Sequence, residues 1–544
     1  MVKITEDWIS EKDRFHQVNI TTPEFDLKKM RKAAKEAPVW LHFGGGNLYR
    51  CFHAEVAQDL LNQGLLEAGI IVADLFGKKL IEQFEKYDNR TLSVTMCADG
   101  SIKKELLAST AEAHYFSSEN PQSLERVVEV FSKKSLQLVT LTITEKGYIV
   151  RNIEGGLTKA AQNDVEVGPD FSRLMTTMGK VLCLLYQRWC TGQFPLALVS
   201  TDNFSHNGQR FKESMLTIAS GWELNHHVPS EFLSYLENEE KISFPFTMID
   251  RITPLPSPDI AKRLEAEGIE EMVISEGTSL APFVNTEETH YLVIEDAFPN
   301  GRPDLSKAGV YLTDRDTVNK ADKMKVCSLL NPLHTALAIF GSLLGYEYIW
   351  QEMEDSDLSQ LVKEIGYNEG LPVVANPGII QPKAFLDSVI QQRLPNAAIP
   401  DTPQRIATDS SQKLSIRYGE TIKSYRDSGV LDVNHLNFIP LTIAAWCRYL
   451  LAVDDFGEKM TVSPDPLLEE LQNYLADVGL GYSADVSDVL SPILSNEQIF
   501  GFNLYETPVG RKVETYFSEL IKEKGVVRKV LSAELKQKGK NENN

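Results

Sequence analysis

Three consecutive glycines at positions 44–46 constrain the fold of this chain more than any other feature of its sequence. They follow a short apolar run at 38–43, which predicts a buried strand, and they precede a stretch whose apolar residues recur with helical spacing. A second apolar run, 69–73, ends in Asp74 and leads into another helical pattern. Strand, glycine turn, helix and strand in this order predict a βαβ unit of the kind that binds dinucleotides.

The rest of the chain shows two different patterns. Further buried-strand runs lie at 136–144, 195–203 and 289–298 with helical stretches between them, which predicts a largely parallel, doubly wound sheet. The Pro- and Gly-rich region 244–310 predicts loops at the edge of that sheet. After it the periodicity is helical throughout. The predicted domains are an α/β Rossmann-like N-terminal domain at 1–308 and an all-α C-terminal domain at 309–544.

Composition argues against several classes of function. The net charge of -21 disfavours a nucleic-acid partner, because phosphate backbones are bound by clustered Lys and Arg. No apolar segment approaches the roughly 20 residues that cross a bilayer, so no membrane partner is expected. The N-terminus lacks the apolar core of a secretory signal, and the six cysteines form no CxxC pair. We therefore expect a cytoplasmic protein without a bound metal.

The glycine run and Asp74 together predict a cofactor site. Glycine lets the backbone approach a pyrophosphate, whose charge then lies at the positive end of the following helix. The third glycine of the usual GxGxxG pattern is missing, since Tyr49 occupies that position. A carboxylate at Asp74 suits an adenosine ribose and favours NAD over NADP, although a plain tight turn and a helix-capping aspartate remain the alternatives. The predicted cofactor-binding residues are Gly44, Gly45, Gly46, Asn47, Arg50 and Asp74.

Polar residues on one predicted helix, together with a strand end, suggest the chemistry. Lys325 precedes Asn331 and His334, and the three-residue gap between the last two puts them on the same face of a helix. A lysine can act as general base toward an alcohol while an amide and an imidazole polarise its oxygen. Asn203 follows a buried strand, at the end where open α/β sheets bind ligands. The alternative is that these groups only satisfy turns and helix ends.

Several motifs in the same order resemble the long-chain polyol and mannitol dehydrogenase family, and most closely its hexuronate reductase branch. They are the glycine turn with Arg50, TEKGY at 144–148, STDN at 200–203, DR at 250–251, IEDAFPNGRPD at 294–304 and KVCSLLNPLH at 325–334. The resemblance extends from about residue 38 to about residue 450. It implies a Rossmann-like domain joined to an all-α domain like that of 6-phosphogluconate dehydrogenase, with the substrate bound between them and no catalytic metal.

The resemblance also implies roles for individual residues. Lys325 corresponds to the general base, Asn203 and Asn331 to the pair that stabilises an alkoxide, and His334 to a contact with the substrate oxygen. A sugar acid also needs cations for its carboxylate, which Arg can bind in a bidentate manner, although structural ion pairs would explain the same residues. The predicted substrate-binding residues are Glu145, Asp250, Arg302, Lys413 and Arg417.

The spacing before Asn331 departs from the family. There the lysine precedes the asparagine by five residues, whereas here Lys325 and Asn331 are six apart. On a regular helix one extra residue turns the lysine by about 100° away from the pocket. A π-bulge absorbs a single inserted residue, so we predict a π-type turn or an irregular helix start between Lys325 and Asn331 that restores the lysine to the substrate. Lys323 is the alternative base.

These observations predict an NAD(H)-dependent oxidoreductase that interconverts a hexonate alcohol, such as mannonate, and its keto form in hexuronate catabolism. The expected partner is a small sugar acid or polyol, and the expected assembly is a monomer or homodimer. Two alternatives remain open. In the first, the substrate is tagaturonate or a polyol such as mannitol or arabinitol. In the second, the chain senses NAD(H) without catalysis, because a fold alone does not establish activity.

Overall fold

The computed structural model describes residues 1–152, 154–276 and 278–541. The chain divides into two compact units, of which the first comprises Met1–Cys97 with Ser101–Asn319 and the second comprises Ala98–Gly100 with Lys320–Asn544. The strand Tyr311–Thr313 lies beyond the boundary that the sequence predicts near residue 308, and it pairs with another strand of the first unit. The first unit therefore continues past that position.

The first unit is built on a parallel sheet. Its strands in chain order are β1 (Ile20–Thr21), β2 (Trp40–Phe43), β3 (Ile70–Asp74), β4 (Thr91–Met96), β5 (Ile102–Leu107), β6 (Thr110–Tyr115), β7 (Leu138–Leu141), β8 (Leu196–Ser200), β9 (Ile242–Ser243), β10 (Thr247–Asp250), β11 (Phe283–Glu287), β12 (Tyr291–Glu295) and β13 (Tyr311–Thr313). Six of these pair in the order β6-β3-β2-β7-β8-β9, all parallel. This is the Rossmann order, and the strand order reverses between β2 and β7, where such sheets bind ligands.

The strands of this sheet read as continuous apolar runs because both faces are covered. Leu41 and Phe43 of β2 pack into the hydrophobic core on one face of the sheet. Trp40 packs into a second core on the other face. The same alternation holds in β3, where Ile71 and Val72 enter opposite cores. Helices on both faces follow from this pattern.

Helices and short helical turns of the first unit connect the strands. They are α1 (Lys12–Gln17), α2 (Leu27–Glu36), the π-helix π1 (Tyr49–His53), α3 (Ala54–Asn62), α4 (Lys78–Lys86), α5 (Pro121–Ser132), α6 (Lys159–Val167), α7 (Thr177–Gly192), α8 (Asn207–Leu224), α9 (Ser230–Glu237), α10 (Pro258–Ala266) and the 3-10 helices Glu145–Tyr148 and Leu305–Ala308.

Two smaller sheets differ from the prediction. The order β1-β5-β4-β11 includes an antiparallel pair, β4 with β5, which the sequence reading missed. The run 289–298 does form a strand, β12, but it pairs antiparallel with β10 and parallel with β13 instead of joining the Rossmann sheet. The prediction that 244–310 is mainly loop is therefore wrong at these strands. β10 and β12 are separated by about 40 residues of sequence, and the pairing of such distant segments depends on tertiary contacts that local composition does not encode.

The second unit is helical, as predicted. Its α-helices are α11 (Arg315–Lys323), which begins before the division, α12 (Asn331–Leu344), α13 (Ile349–Glu354), α14 (Ser356–Lys363), α15 (Pro382–Ser388), α16 (Pro403–Ala407), α17 (Glu420–Asp427), α18 (Phe438–Tyr449), α19 (Leu468–Tyr474), α20 (Ser487–Leu494), α21 (Glu497–Phe500), α22 (Val509–Leu520) and α23 (Val526–Asn541). Its π-helices are π2 (Met324–Leu329), π3 (Glu364–Gly370), π4 (Val389–Arg393) and π5 (Ser415–Gly419). Its 3-10 helices are Leu371–Val373, Ser410–Gln412, Val433–His435 and Leu504–Glu506.

One long helical segment of the described chain is apolar enough to span a membrane by length and composition. It is Arg315–Leu344, and 83 % of its most apolar window is buried inside the protein. Such burial is typical of the core helix of a globular unit.

Candidate active site

A side chain at each glycine of the turn after β2 would meet different surroundings. Gly44 has φ +100, and a Cβ there would lie 2.2 Å from the carbonyl oxygen of Thr142. A Cβ on Gly45 would lie 2.8 Å from the ring of Phe84. A Cβ on Gly46 would meet nothing within 4 Å. The first two glycines therefore allow the turn to pack against the end of β7 and against helix α4. The third leaves space in front of the helix that begins at Asn47, where an anion would bind.

Asp74 holds this turn in place. Its Oδ2 accepts a hydrogen bond from the Gly45 N–H at 3.0 Å, and its Oδ1 accepts from the N–H groups of Phe76 and Gly77 at 3.0 and 2.6 Å. The side chain is 8 % exposed. Three backbone donors thus occupy most of the carboxylate, which ties the end of β3 to the glycine turn. The predicted contact with a ribose stays a prediction.

Arg50 contacts protein groups that the sequence did not indicate. Its guanidinium donates to the carbonyl of Ala281 and to Oδ1 of Asn47, both at 2.8 Å, and the residue is 2 % exposed. Burial lowers the pKa of Arg50 to about 10. The side chain anchors the start of the helix after the turn, and its predicted cofactor contact stays a prediction. Asn47 also lies within hydrogen-bonding distance of the Pro254 carbonyl, at 3.5 Å.

The ends of β7 and β8 are joined by Asp202, a residue that the sequence reading did not single out. Its carboxylate accepts from the N–H groups of Ile143 and Thr144 at 3.0 and 2.8 Å and from the Tyr148 hydroxyl at 2.8 Å. Thr144 has φ +65 and ψ 157, a strained conformation for a residue with a side chain, and these bonds stabilise it. Asn203, the next residue, is exposed at the carboxyl end of β8, as the sequence predicted.

Two predicted substrate contacts of the first unit have different surroundings. Glu145, at the start of the 3-10 helix after β7, is exposed and forms an ion pair with Arg210. Asp250, at the carboxyl end of β10, is buried. Both roles remain predictions.

The surroundings of Arg302 do not favour its predicted role as a substrate contact, which stays a prediction. Its guanidinium binds Asp296 in a bidentate manner at 2.7 and 2.8 Å. The adjacent Asn300 amide donates to the carbonyl groups of Lys134 and Leu136 at 2.9 and 2.7 Å, immediately before β7 begins. This loop therefore lies at the amino ends of the strands, whereas ligands bind at the carboxyl ends.

Lys325 lies in the π-helix that the sequence predicted. π2 spans Met324–Leu329, and the Leu330 N–H donates to the Lys325 carbonyl at 3.2 Å, an i to i+5 bond. The lysine side chain is 2 % exposed, whereas Lys323 is exposed in the preceding helix. The extra residue between Lys325 and Asn331 is absorbed in the wider turn.

Asn331 and His334 lie in the first turn of α12. The chain is held there by the Tyr418 hydroxyl, which donates to the Pro332 carbonyl at 2.7 Å, and by Arg417, whose Nη1 donates to the Thr335 hydroxyl. π5, which carries Arg417, is therefore fastened beside the start of α12.

Three arginines and one aspartate act electrostatically on the His334 imidazole. Burial lowers the pKa of this imidazole to about 4, opposed by Asp401 and assisted by Arg393, Arg417 and Arg405. Asp401 is itself bound by Arg405 in a bidentate pair with both distances 2.6 Å. At neutral pH the ring is therefore uncharged, and the arginines nearby outnumber the carboxylate.

Arg417 has an incompletely satisfied guanidinium. Burial lowers its pKa to about 10, and its buried Nε has no hydrogen-bond partner among the described residues. Lys413 bonds to the carbonyl of Thr408, and burial, assisted by Arg417, lowers its pKa. The sequence placed both residues near the substrate, but it missed Arg393 and Arg405, which follow no motif. Among the described residues no group of three His, Cys, Asp or Glu side chains is arranged to hold a metal.

A six-stranded sheet in Rossmann order, a glycine turn at its switch point and a helical unit with a buried lysine define a two-domain dehydrogenase. Residues 39–307 match the family model described as the mannitol dehydrogenase Rossmann domain, and residues 317–520 match the mannitol dehydrogenase C-terminal domain. The chain belongs to the mannitol dehydrogenase family of oxidoreductases. The resemblance and the fold class that the sequence suggested are confirmed.

Known relatives agree with this assignment. D-mannonate oxidoreductase of Thermotoga maritima is 47% identical over 97% of this chain and 98% of its own length. Polyol:NADP oxidoreductase of Gluconobacter oxydans is 30% identical over 84% of this chain and 88% of its own. Among solved structures, mannitol 2-dehydrogenase of Pseudomonas fluorescens with NAD and D-mannitol has TM-score 0.71 at 26% identity, covering 95% of this chain and 97% of that one.

Proposed function

We propose that this chain interconverts a hexonate alcohol and its keto form with NAD(H), with D-mannonate and D-fructuronate as the favoured pair in hexuronate catabolism. The observation that carries this proposal is the half-buried Arg417, whose buried Nε has no hydrogen-bond partner among the described residues and whose charge acts on His334. A buried donor without a partner costs about 1 to 3 kcal/mol, and a carboxylate on the substrate would offset that cost. The 47% identical relative is named a D-mannonate oxidoreductase, which supports the same substrate class.

The glycine turn suits the cofactor. The open space at Gly46 and the helix that starts at Asn47 fit a pyrophosphate, and Asp74 holds the turn that forms this surface. A nicotinamide bound at this turn would supply the hydride acceptor for oxidation of the alcohol carbon and the hydride donor for reduction of the ketone.

The protein moves the proton and positions the oxygen. In the oxidative direction the uncharged Lys325 amine removes the proton of the reacting hydroxyl, and in reduction the ammonium returns it. Asn203 and Asn331 donate amide hydrogen bonds to the developing alkoxide. His334 is uncharged at neutral pH, so it can donate one hydrogen bond to a hydroxyl without attracting the substrate charge. Arg417 and Lys413 bind the carboxylate.

A substrate panel tests this proposal. The purified protein is mixed with NADH and, in turn, D-fructuronate, D-tagaturonate and fructose, and the loss of absorbance of the reduced nicotinamide is recorded. We expect kcat/KM to be greatest with fructuronate. A preference for fructose would overturn the acid substrate and favour polyol oxidation. NADH binding without oxidation by any of the three would overturn catalysis and favour a sensing role. A parallel series with NADPH tests the choice of cofactor.

A further inference from the structure

An unbroken chain of side-chain hydrogen bonds runs beneath the glycine turn. Trp40 Nε1 lies 2.7 Å from the Thr140 hydroxyl, which lies 2.6 Å from His42 Nδ1. His42 Nε2 lies 2.9 Å from the Thr142 hydroxyl, and that hydroxyl lies 3.1 Å from the Gly44 carbonyl oxygen. The chain crosses from β2 to β7 twice and ends on the first glycine, at the switch point of the sheet.

The donor and acceptor in every hydrogen bond of this series follow from the two groups at its ends, the indole N–H of Trp40 and the carbonyl of Gly44. The Gly44 carbonyl can only accept, so the Thr142 hydroxyl donates to it and has no proton left for His42. The Nε2 of His42 therefore carries the proton and donates to Thr142. In a neutral ring Nδ1 then accepts from the Thr140 hydroxyl, which in turn accepts from the indole N–H of Trp40, a group that only donates. One tautomer of His42 satisfies all four bonds.

The surroundings keep His42 neutral and fixed. The ring is fully buried, stacked on Tyr49 at 4.5 Å between centroids and tilted against His53 at 4.6 Å. Burial and the neighbouring His53 lower the pKa of His42 well below its usual value, and the Gly44 carbonyl opposes that shift. Tyr49 belongs to π1, near the start of the helix that follows the glycines, so the His42 ring also packs against that helix.

The bond to Gly44 matters because of the peptide that it orients. The carbonyl of the Gly44–Gly45 peptide accepts from Thr142, and the N–H of the same peptide donates to Asp74 at 3.0 Å. In a trans peptide these two groups point in opposite directions, so Thr142 and Asp74 hold the plane from both sides. Glycine resists rotation of this plane less than any other residue, which makes such external bonds necessary.

We propose that His42 is a positioning residue of the cofactor turn: as the Nε2–H tautomer it orients the Thr142 hydroxyl, which holds the Gly44–Gly45 peptide in the orientation that dinucleotide binding requires. This inference rests on the proposed function of the turn in binding NAD(H). His42 itself touches no ligand in this scheme, and it acts only through Thr142.

A second histidine supplies a matched control. His53 Nε2 lies 2.8 Å from the Thr201 hydroxyl, which donates to the carbonyl of Leu141 at 2.8 Å. This branch has the same chemistry and lies in the same ring stack, but it ends on a strand carbonyl and not on the turn. Loss of the Thr201 hydroxyl is therefore expected to cost stability without disturbing Gly44.

The experiment compares NADH dissociation constants, measured by fluorescence titration, for the wild type, Thr142→Val, Thr142→Ser and Thr201→Val. Loss of one buried hydrogen bond predicts an NADH Kd about five- to tenfold higher for Thr142→Val. Thr142→Ser, which keeps the hydroxyl, and Thr201→Val are expected to stay within about twofold of the wild type. Turnover at saturating NADH should change less than Kd in Thr142→Val, which a general loss of folding would not produce.

The outcomes separate this inference from the proposed function. Failure of the wild type to bind NADH would overturn the dinucleotide function itself. Wild-type binding with an unchanged Kd in Thr142→Val, or an equal loss in Thr142→Val and Thr201→Val, would overturn the positioning role alone. His42→Phe provides a second reading, and thermal melting identifies whether that variant folds. A folded His42→Phe variant should match Thr142→Val, and a folded variant with wild-type NADH binding would contradict the proposal.

Discussion

The backbone N–H of Leu330 donates to the carbonyl of Lys325 across five residues, at 3.2 Å. A regular α-helix would make this bond across four residues, so the turn holds one residue more than usual. This wider turn confirms the π-type turn that the spacing of Lys325 and Asn331 predicted. The side chain of Lys325 is buried in this turn, which fits a general base shielded from water.

Deletion of Val326 tests whether activity requires the extra residue between Lys325 and Asn331 or whether the helix only accommodates it. Removing it should convert π2 (Met324–Leu329) into a regular turn and leave Lys325 five residues before Asn331, so kcat is expected to stay within about tenfold of the wild type. Deletion of Ala336 inside α12 is the control, because it rotates one part of a regular helix by about 100° against the rest. Equal loss of activity in both deletions, measured with NADH and fructuronate, would contradict this account.

Replacement of Lys325 by Ala tests the general base. We expect kcat to fall by about 100-fold or more, because general-base catalysis contributes that much, while the NADH dissociation constant is unchanged. The matched control is Lys323→Ala, which removes an exposed amine from the adjacent turn and should leave kcat unchanged. Wild-type turnover in Lys325→Ala would remove this lysine from the mechanism.

Arg417→Met tests recognition of the carboxylate. A charge-assisted hydrogen bond contributes about 1.5 to 3 kcal/mol, so KM for the hexonate should rise by about 10- to 100-fold, with a smaller effect on fructose. Arg302→Met is the control, because Arg302 is bound to Asp296 near the amino ends of the sheet strands. Steady-state kinetics with both substrates decide the matter. A similar rise of KM in the two variants would argue against a specific carboxylate contact at Arg417.

Asp74→Ala tests how strongly the turn is held. The substitution leaves the N–H groups of Gly45, Phe76 and Gly77 without their acceptor, and the free energy of unfolding should fall by about 2 to 4 kcal/mol. Urea unfolding measures this loss, and NADH binding should weaken with it. Asp259→Ala, which removes an exposed carboxylate, should change stability by less than about 0.5 kcal/mol. A stable Asp74→Ala variant would show that the turn does not depend on this carboxylate.

The buried carboxyl group of Glu352 should make the free energy of unfolding depend on pH in an unusual direction. Its side chain is fully buried, neither carboxyl oxygen has a hydrogen-bond partner among the described residues, and burial raises its pKa well above the usual value. The folded state therefore binds a proton at Glu352 more tightly than the unfolded state does. The stability that this protonation contributes is lost progressively as the pH rises above the unfolded pKa of about 4.3.

Glu352→Gln isolates this effect, since glutamine stays neutral. Relative to the wild type, the variant should gain stability as pH rises from about 5 to 8, by up to about 1.4 kcal/mol per pH unit. Glu354→Gln, at an exposed position of the same helix, should show no such trend. Urea unfolding at several pH values gives the comparison, and a constant difference between wild type and Glu352→Gln would contradict a raised pKa.

Local patterns predicted the parts of the fold that depend on neighbouring residues. The continuous apolar runs at β2, β3, β7 and β8 are visible in the sequence because parallel strands are buried on both faces. The helical period after residue 309 is equally local. Strands β10 and β12 were not assigned to their sheet, because their pairing joins segments 40 residues apart, and only packing selects such partners.

The candidate site divides in the same way. The local pattern sufficed to predict the glycine turn, and the six-residue spacing of Lys325 and Asn331, compared with five residues in the family that the chain resembles, predicted the π-helix. It could not show that Asp74 binds the turn, that Arg50 is buried or that Asp202 joins two strand ends, because each of these contacts links residues that are far apart in sequence.

By itself, the sequence determined the buried strands β2, β3, β7 and β8, the helical period of the second unit and the position of the glycine turn, because steric and periodic constraints act over a few residues. Only the tertiary structure decided which side chains meet. It placed Arg302 near the amino ends of the sheet strands and Arg393 and Arg405 around His334. The physical reason is that burial and hydrogen bonding depend on neighbours in space, and those neighbours exist only after the chain has packed.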